Sequence, residues 1–250
     1  METSVKPHDA VDQDEKLPIM AHLEELRKRL FKCAIAVGIT TVASFYFAQY
    51  VFKLLESRAE GINLIFIEMT EMIGTYCMVA IVCGIVLALP FLVYQLVMFI
   101  RPALTAKEKR YLYSLLPAVF LAFAAGVAFG YFVLIPPAAK FLITFGSDIA
   151  TPQIRIGNFV SLMVKLLFAI GLCFETPILI LFLSKVGVVT PETLSKYRKF
   201  AVLGAFILAA IITPTVDPIN QSIIAVPLIV LYEVGVLLAR LARGRKKAHV

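Results

Sequence analysis

Apolar residues gather into six long stretches, at 31–52, 72–100, 111–136, 158–186, 200–213 and 218–238, with short polar and charged segments between them. About 20 apolar residues in a row make a helix long enough to cross a bilayer. The pattern predicts six membrane-spanning helices within residues 19–240 of an all-α membrane protein. Six being even, both termini fall on one side. Pro90, Pro117, Pro136, Pro137, Pro177 and Pro227 lie inside or beside these stretches. Each removes a backbone donor and bends its helix, so the expected product is a concave, cup-like bundle of tilted and kinked rods. Residues 1–18 are polar and acidic, without the basic and short apolar regions of a signal peptide. They are expected to be a disordered tail, with insertion beginning at the first span, and 241–250 to be a second, basic tail.

The lengths differ in an informative way. Spans 72–100 and 158–186 each hold 29 residues, about 43 Å of helix against a hydrocarbon core of about 30 Å. They must tilt, bend or project beyond the lipid. Span 200–213 holds 14 residues, about 21 Å. The last span opens with Asp217, Asn220, Gln221 and Ser222, and its apolar part, 223–238, reaches only about 24 Å. Two adjacent spans are thus too short for an ordinary bilayer. Their outer ends are expected to lie in thinned lipid or in a watery hollow. ALPFLVYQ (88–95) and AVPLIVLYE (225–233) look alike, but no longer repeat surrounds them.

Composition excludes whole classes. The chain is 60% hydrophobic and 16% charged, with a mean hydropathy of +0.88. Soluble domains carry about 45–50% apolar and about 25% charged residues, so a soluble globular protein, a disordered chain and a disulfide mini-protein are all ruled out. Cys33, Cys77, Cys83 and Cys173 sit in apolar stretches without a CxxC pair and read as packing residues. His8, His22 and His249 lie outside every span, so no metal is expected. No glycine-rich phosphate loop is present, and no cofactor is expected.

Charge orients the bundle. Of 24 basic residues, only Lys53, Arg58, Lys140, Arg155 and Lys165 fall on one face. The other 19 lie in the N-terminal region, in the loops after spans 2 and 4, and in the C-terminal tail. The positive-inside bias places both termini in the cytoplasm. The net charge of +7 then follows from topology and anionic lipid and requires no nucleic acid.

Few polar groups remain to carry function. In MAHLEELRKRL (20–30), helical spacing puts Leu23, Leu26 and Leu30 on one face and His22, Glu25 and Arg29 on another. Glu25–Arg29 and Glu24–Lys28 fit i,i+4 pairs on an interfacial helix. In FIRPALTAKEKR (99–110), Thr105 and Glu108 fit a capping box. The functional alternative is that Glu25 and Glu108, two carboxylates at one interface, grip a pair of guanidinium groups. Glu175 lies midway along span 4, where an ionisable group is costly and functional by default; a packing residue beside Pro177 is the other reading. Lys165 snorkels to the surface. Asp217, Asn220 and Gln221 either cap the last span or meet a polar partner. Glu68 and Glu71 read as solvated residues of the outer loop.

These motifs resemble the TatC family, the six-span core of the twin-arginine protein translocase. HLEELRKRL, FIRPALTAKEKR, FETP and TPTVDPINQ occur in the family's order and spacing, over residues 19–240. The resemblance implies a receptor for the twin-arginine signal peptides of folded cargo at the cytoplasmic face of the cytoplasmic (inner) membrane. Its carboxylates match Glu25 and Glu108, its basic residues Arg27 and Arg29, and its loop aromatic Phe99. The family's span-4 glutamate matches Glu175, and the polar positions opening span 6 match Asp217 and Gln221, near where TatA- and TatB-type single-span partners dock. It further implies transport driven by the proton-motive force, without nucleotide, with several copies in the complex. The first outer loop departs from the family pattern: LLESRAEG and EMTEMI carry no proline, so nothing is carried over for Glu71.

The reading is therefore a receptor and scaffold, not an enzyme. One rival is a proton-coupled secondary transporter of a small solute using Glu175, which broken helices and internal repeats would favour. Another is an intramembrane hydrolase, which needs a Ser–His pair, paired aspartates or metal ligands within the spans. No histidine lies in a span.

Overall fold

All six apolar stretches form helix. The computed structural model describes residues 11–58, 64–100, 106–144, 153–213 and 218–247. Its helices are α1 (Val11–Glu56), α2 (Glu71–Ile100), α3 (Ala106–Phe129), α4 (Ile135–Thr144), α5 (Ile156–Cys173), α6 (Thr176–Val186), α7 (Pro191–Lys196), α8 (Arg198–Ile212) and α9 (Pro218–Lys247). A π turn, Gly130–Leu134, joins α3 to α4. Among the described residues the one extended pairing is a parallel bridge between Ile65 and Arg155. Five helical stretches are long and apolar enough to cross a membrane: Leu23–Glu56, Glu71–Phe99, Leu116–Phe141, Ile156–Val186 and Gln221–Ala242. The sixth, α8, has 15 residues, about 22 Å, and is short as expected. The chain is a multi-pass, all-α membrane protein.

Packing follows from the apolar faces. Phe159, Val160, Met163, Leu166 and Ile170 recur at helical spacing on α5 and are fully buried, which makes α5 the centre of the bundle. Around it α2 meets α3 and α5, α3 meets α5 and α6, α6 meets α9, and α9 meets α8. Helix α1 packs along α2. Only 6% of its apolar window is buried, against 33% for the α5–α6 window, so α1 lies at an edge of the bundle with most of its surface toward lipid. Between lipid-facing helices the water-driven hydrophobic effect is absent, and close approach of small residues replaces it. At Gly84 a methyl group would stand 2.6 Å from the Thr41 Cα. That closeness lets the Thr40 hydroxyl donate to the Gly84 carbonyl at 2.8 Å. Gly126 and Gly171 meet in the same way between α3 and α5.

Several boundaries differ from expectation. Residues 11–18, expected in a disordered tail, belong to α1. Acidic positions at 12, 14 and 15 suit the start of a helix, whose dipole favours negative charge there. Residues 241–247 likewise continue α9 rather than a free basic tail; basic residues suit a helix C-terminus for the same reason. Span 3 does not stop at Pro136. Its helix runs from Ala106 to Thr144 through the π turn, in which the Ile135 N–H donates to the Gly130 carbonyl. The wider turn accommodates Pro136 and Pro137, which lack N–H donors, without ending the helix. Span 4 is two helices. Pro177 opens α6, and the chain tightens before it: the Glu175 N–H donates to the Leu172 carbonyl at 3.1 Å.

Candidate functional site

The basic end of the bundle is built from α1, the end of α2 and the start of α3. On α1, Glu25 and Arg29 lie one turn apart. Arg29 Nε donates to Glu25 Oε1 at 3.0 Å, and Nη2 donates to the same oxygen. Arg29 Nη1 reaches across to α2 and donates to Gln95 Oε1 at 3.3 Å. Gln95 is buried at 6% exposure, whereas the Glu25 side chain keeps 35%. The i,i+4 pair expected at Glu24–Lys28 is also present, at 2.8 Å, with both side chains open to solvent. Arg27 is exposed and Phe99, one turn beyond Gln95, is half-buried. Glu108 falls in the first turn of α3, but its side chain, like Thr105 as a whole, lies outside the described residues. The structure thus joins Glu25 to Arg29 and adds Gln95.

Gln95 escaped the sequence reading because an amide in an apolar run has no charge to draw notice. The available signal was its depth, since a polar side chain buried among apolar ones needs a partner.

The second set of expected residues lies in α5–α6 and α8–α9. Glu175 sits at the break between α5 and α6, and its Oε1 is buried without a hydrogen-bond partner among the described residues. Buried polar atoms are nearly always paired, so this oxygen is an exception of the kind that marks a functional group. Gln221 is not free: its Nε2 donates to the Phe206 carbonyl at 2.9 Å and ties α9 to α8. Asp217 lies outside the described residues. On the basic side the same two helices are held by Arg198, 2.7 Å from Glu233, while the Tyr232 hydroxyl ties α9 to α7 by donating to the Leu194 carbonyl at 2.8 Å. Lys165 is exposed. No cluster of metal-ligating side chains occurs among the described residues.

Comparison with known proteins places this geometry. A family model described as Sec-independent protein translocase protein (TatC) matches residues 21–227. The chain belongs to the TatC family. It is 38% identical over 237 residues to the Sec-independent protein translocase protein TatC of Aquifex aeolicus, covering 92% of this chain and 98% of that one. It is 34% identical over 236 residues to the TatC of Carboxydothermus hydrogenoformans, covering 94% and 97%. A crystal structure of a twin-arginine translocase receptor, TatC, superposes with a TM-score of 0.80 at 38% identity, over 89% of this chain and 99% of that one. The matched family region contains Glu25, Phe99, Glu108, Glu175, Asp217 and Gln221.

The segment between α1 and α2 holds a correction. Glu71 is not solvated: its side chain is only 7% exposed. Its Oε2 pairs with Arg155 at 3.0 Å and accepts the Ile67 N–H at 3.2 Å, while Oε1 accepts the Gly157 N–H at 3.0 Å. Glu68 joins the same guanidinium at 3.3 Å. The hydrogen bond to Glu71, ahead of the Coulomb attraction, raises the Arg155 pKa above its ordinary value. Beside this knot, Thr75, Met78, Asn158 and Ser161 line a cleft of about 280 Å³. Arg155 stands 84 residues from Glu71 in sequence, so the pairing was out of reach of local spacing. Its one signal was an arginine on the face poor in basic residues.

Proposed function

We propose that this chain is the receptor and core subunit of a twin-arginine protein translocase in the cytoplasmic membrane, with both termini in the cytoplasm. Glu25 and Glu108 bind the paired arginines of a signal peptide, with Arg27, Arg29 and Phe99 around them. The peptide's apolar stretch then enters the hollow of the bundle. Glu175, Asp217 and Gln221, with the short α8 and α9, present polar contacts and thinned lipid to TatA- and TatB-type single-span partners. Transport of the folded cargo draws on the proton-motive force. The chain acts by binding and assembly and is not an enzyme.

The observation that carries the reading is the likeness to a twin-arginine translocase receptor over 89% of the chain. Two features of the structure support it. A carboxylate at the basic end is partly open to solvent, and an unpartnered carboxylate oxygen lies at a helix break. A guanidinium recognised by a carboxylate forms two parallel charge-assisted hydrogen bonds, which an ammonium cannot do. Glu25→Ala and Glu108→Gln are therefore expected to weaken binding of a twin-arginine peptide far more than of a twin-lysine control. Site-specific photo-crosslinking in native membranes reads this out. Equal loss for both peptides would remove the specific role of the two acids. The family match also weighs against a small-solute transporter, and uptake of solute by the purified chain alone in liposomes would reopen that reading.

A further inference from the structure

We infer that Gln95 is a positioning residue of the receptor site, acting on Glu25 through Arg29. The inference rests on the proposed role of Glu25. Two carboxylates stand side by side on α1, and each pairs with a base four residues on. Among the described residues Glu24 and Lys28 have no further hydrogen bond, and both side chains are well over half exposed. Glu25 and Arg29 differ because Arg29 has a third anchor, the buried Gln95 of α2. An arginine only donates hydrogen bonds, so the side-chain oxygen of Gln95 must face it. The planar guanidinium then has one edge on Glu25 Oε1 and its other nitrogen on α2. Both bonds to Glu25 fall on Oε1, and among the described residues Oε2 accepts none.

The result is a carboxylate clamped by one oxygen and presented by the other. A flexible i,i+4 pair would have to lose rotamer freedom when a passenger guanidinium binds; a clamped one has already lost it. The anchor is on α2, one turn before Phe99, so the same helix segment sets the carboxylate and the aromatic relative to each other. A lysine at position 29 would supply charge but not the planar fork that reaches both acceptors.

The test uses the full chain in native membranes and two peptides, one with paired arginines and one with paired lysines. Gln95→Leu keeps the size and removes the acceptor; Gln95→Glu keeps the acceptor. Gln95→Leu is expected to lower affinity for the arginine peptide about tenfold, the ratio that goes with loss of one charge-assisted hydrogen bond. Affinity for the lysine peptide should not change. Gln95→Glu should retain discrimination, Arg29→Lys should lose it as Gln95→Leu does, and Glu24→Gln should leave it intact. Wild-type discrimination in both Gln95→Leu and Arg29→Lys overturns the inference, as does an equal loss in Gln95→Glu and Gln95→Leu. Should Gln95→Leu fail to accumulate, Gln95→Asn, which keeps the amide but draws it back from Arg29, takes its place with the same two readings. Glu25→Ala separates the two levels. If it abolishes discrimination while Gln95→Leu and Arg29→Lys do not, only the positioning role fails. If it leaves discrimination whole, the receptor reading fails and the positioning role with it.

Discussion

Glu71 and Glu68 lie three residues apart at the entry to α2, and the fold treats them differently. Glu71 accepts two backbone N–H groups and the Arg155 guanidinium, whereas Glu68 touches only the edge of that guanidinium and stays largely exposed. An exposed ion pair contributes little, but a shielded carboxylate that also satisfies backbone donors leaves those donors orphaned when it is removed. Glu71→Leu is expected to lower the thermal unfolding midpoint of the detergent-solubilised protein by several degrees, and Glu68→Gln to leave it nearly unchanged. Equal effects at both positions would show that the knot is only a surface pair. The acids themselves were legible in the sequence; which of them would be covered was not, because the covering arginine comes from a distant segment.

Helices, by contrast, were legible as elements though not in their ends, since an apolar run of sufficient length in lipid can satisfy its backbone only as helix. What the runs did not disclose was where one helix touches another. Gly38 on α1 and Gly84 on α2 look alike in sequence, but a methyl group at Gly38 meets nothing within 4 Å, and one at Gly84 runs into the Thr41 backbone. Gly84→Val is expected to destabilise the protein by about 1–3 kcal/mol, the usual range for overpacking, as α1 is levered from α2. Gly38→Val should be tolerated. Unfolding followed in mixed detergent micelles checks this, and equal stability of the two variants would contradict the close α1–α2 crossing. The same helices show why expected boundaries moved. Prolines near 136 and 177 were read as bends, and the chain answered the first with a π turn that keeps the helix going and the second with a break at which Glu175 sits. A missing N–H sets the problem at both places, and the neighbouring packing selects the answer.

At the scale of the molecule, topology and asymmetry of span length matter most. Basic residues crowd one end, and α8 is too short to cross an ordinary bilayer. In a variant lacking the four native cysteines, Ser4→Cys and Ala248→Cys should each react with a membrane-impermeant maleimide only from the cytoplasmic side. Reaction from the outer side at either position would invert the proposed orientation. The membrane class and the bias of charge were decided by the sequence alone, because partition between water and lipid acts on each segment by its own composition. Glu175 was legible as a candidate for a like reason, since a charge in an apolar run is conspicuous by itself, and Glu25 and Gln221 came with the polar clusters around them. Only the tertiary structure decided what each of them touches. Gln95 behind Arg29, Phe206 beneath Gln221 and Arg155 over Glu71 are contacts between segments far apart in the chain, and a hydrogen bond depends on a few tenths of an ångström that no local pattern encodes.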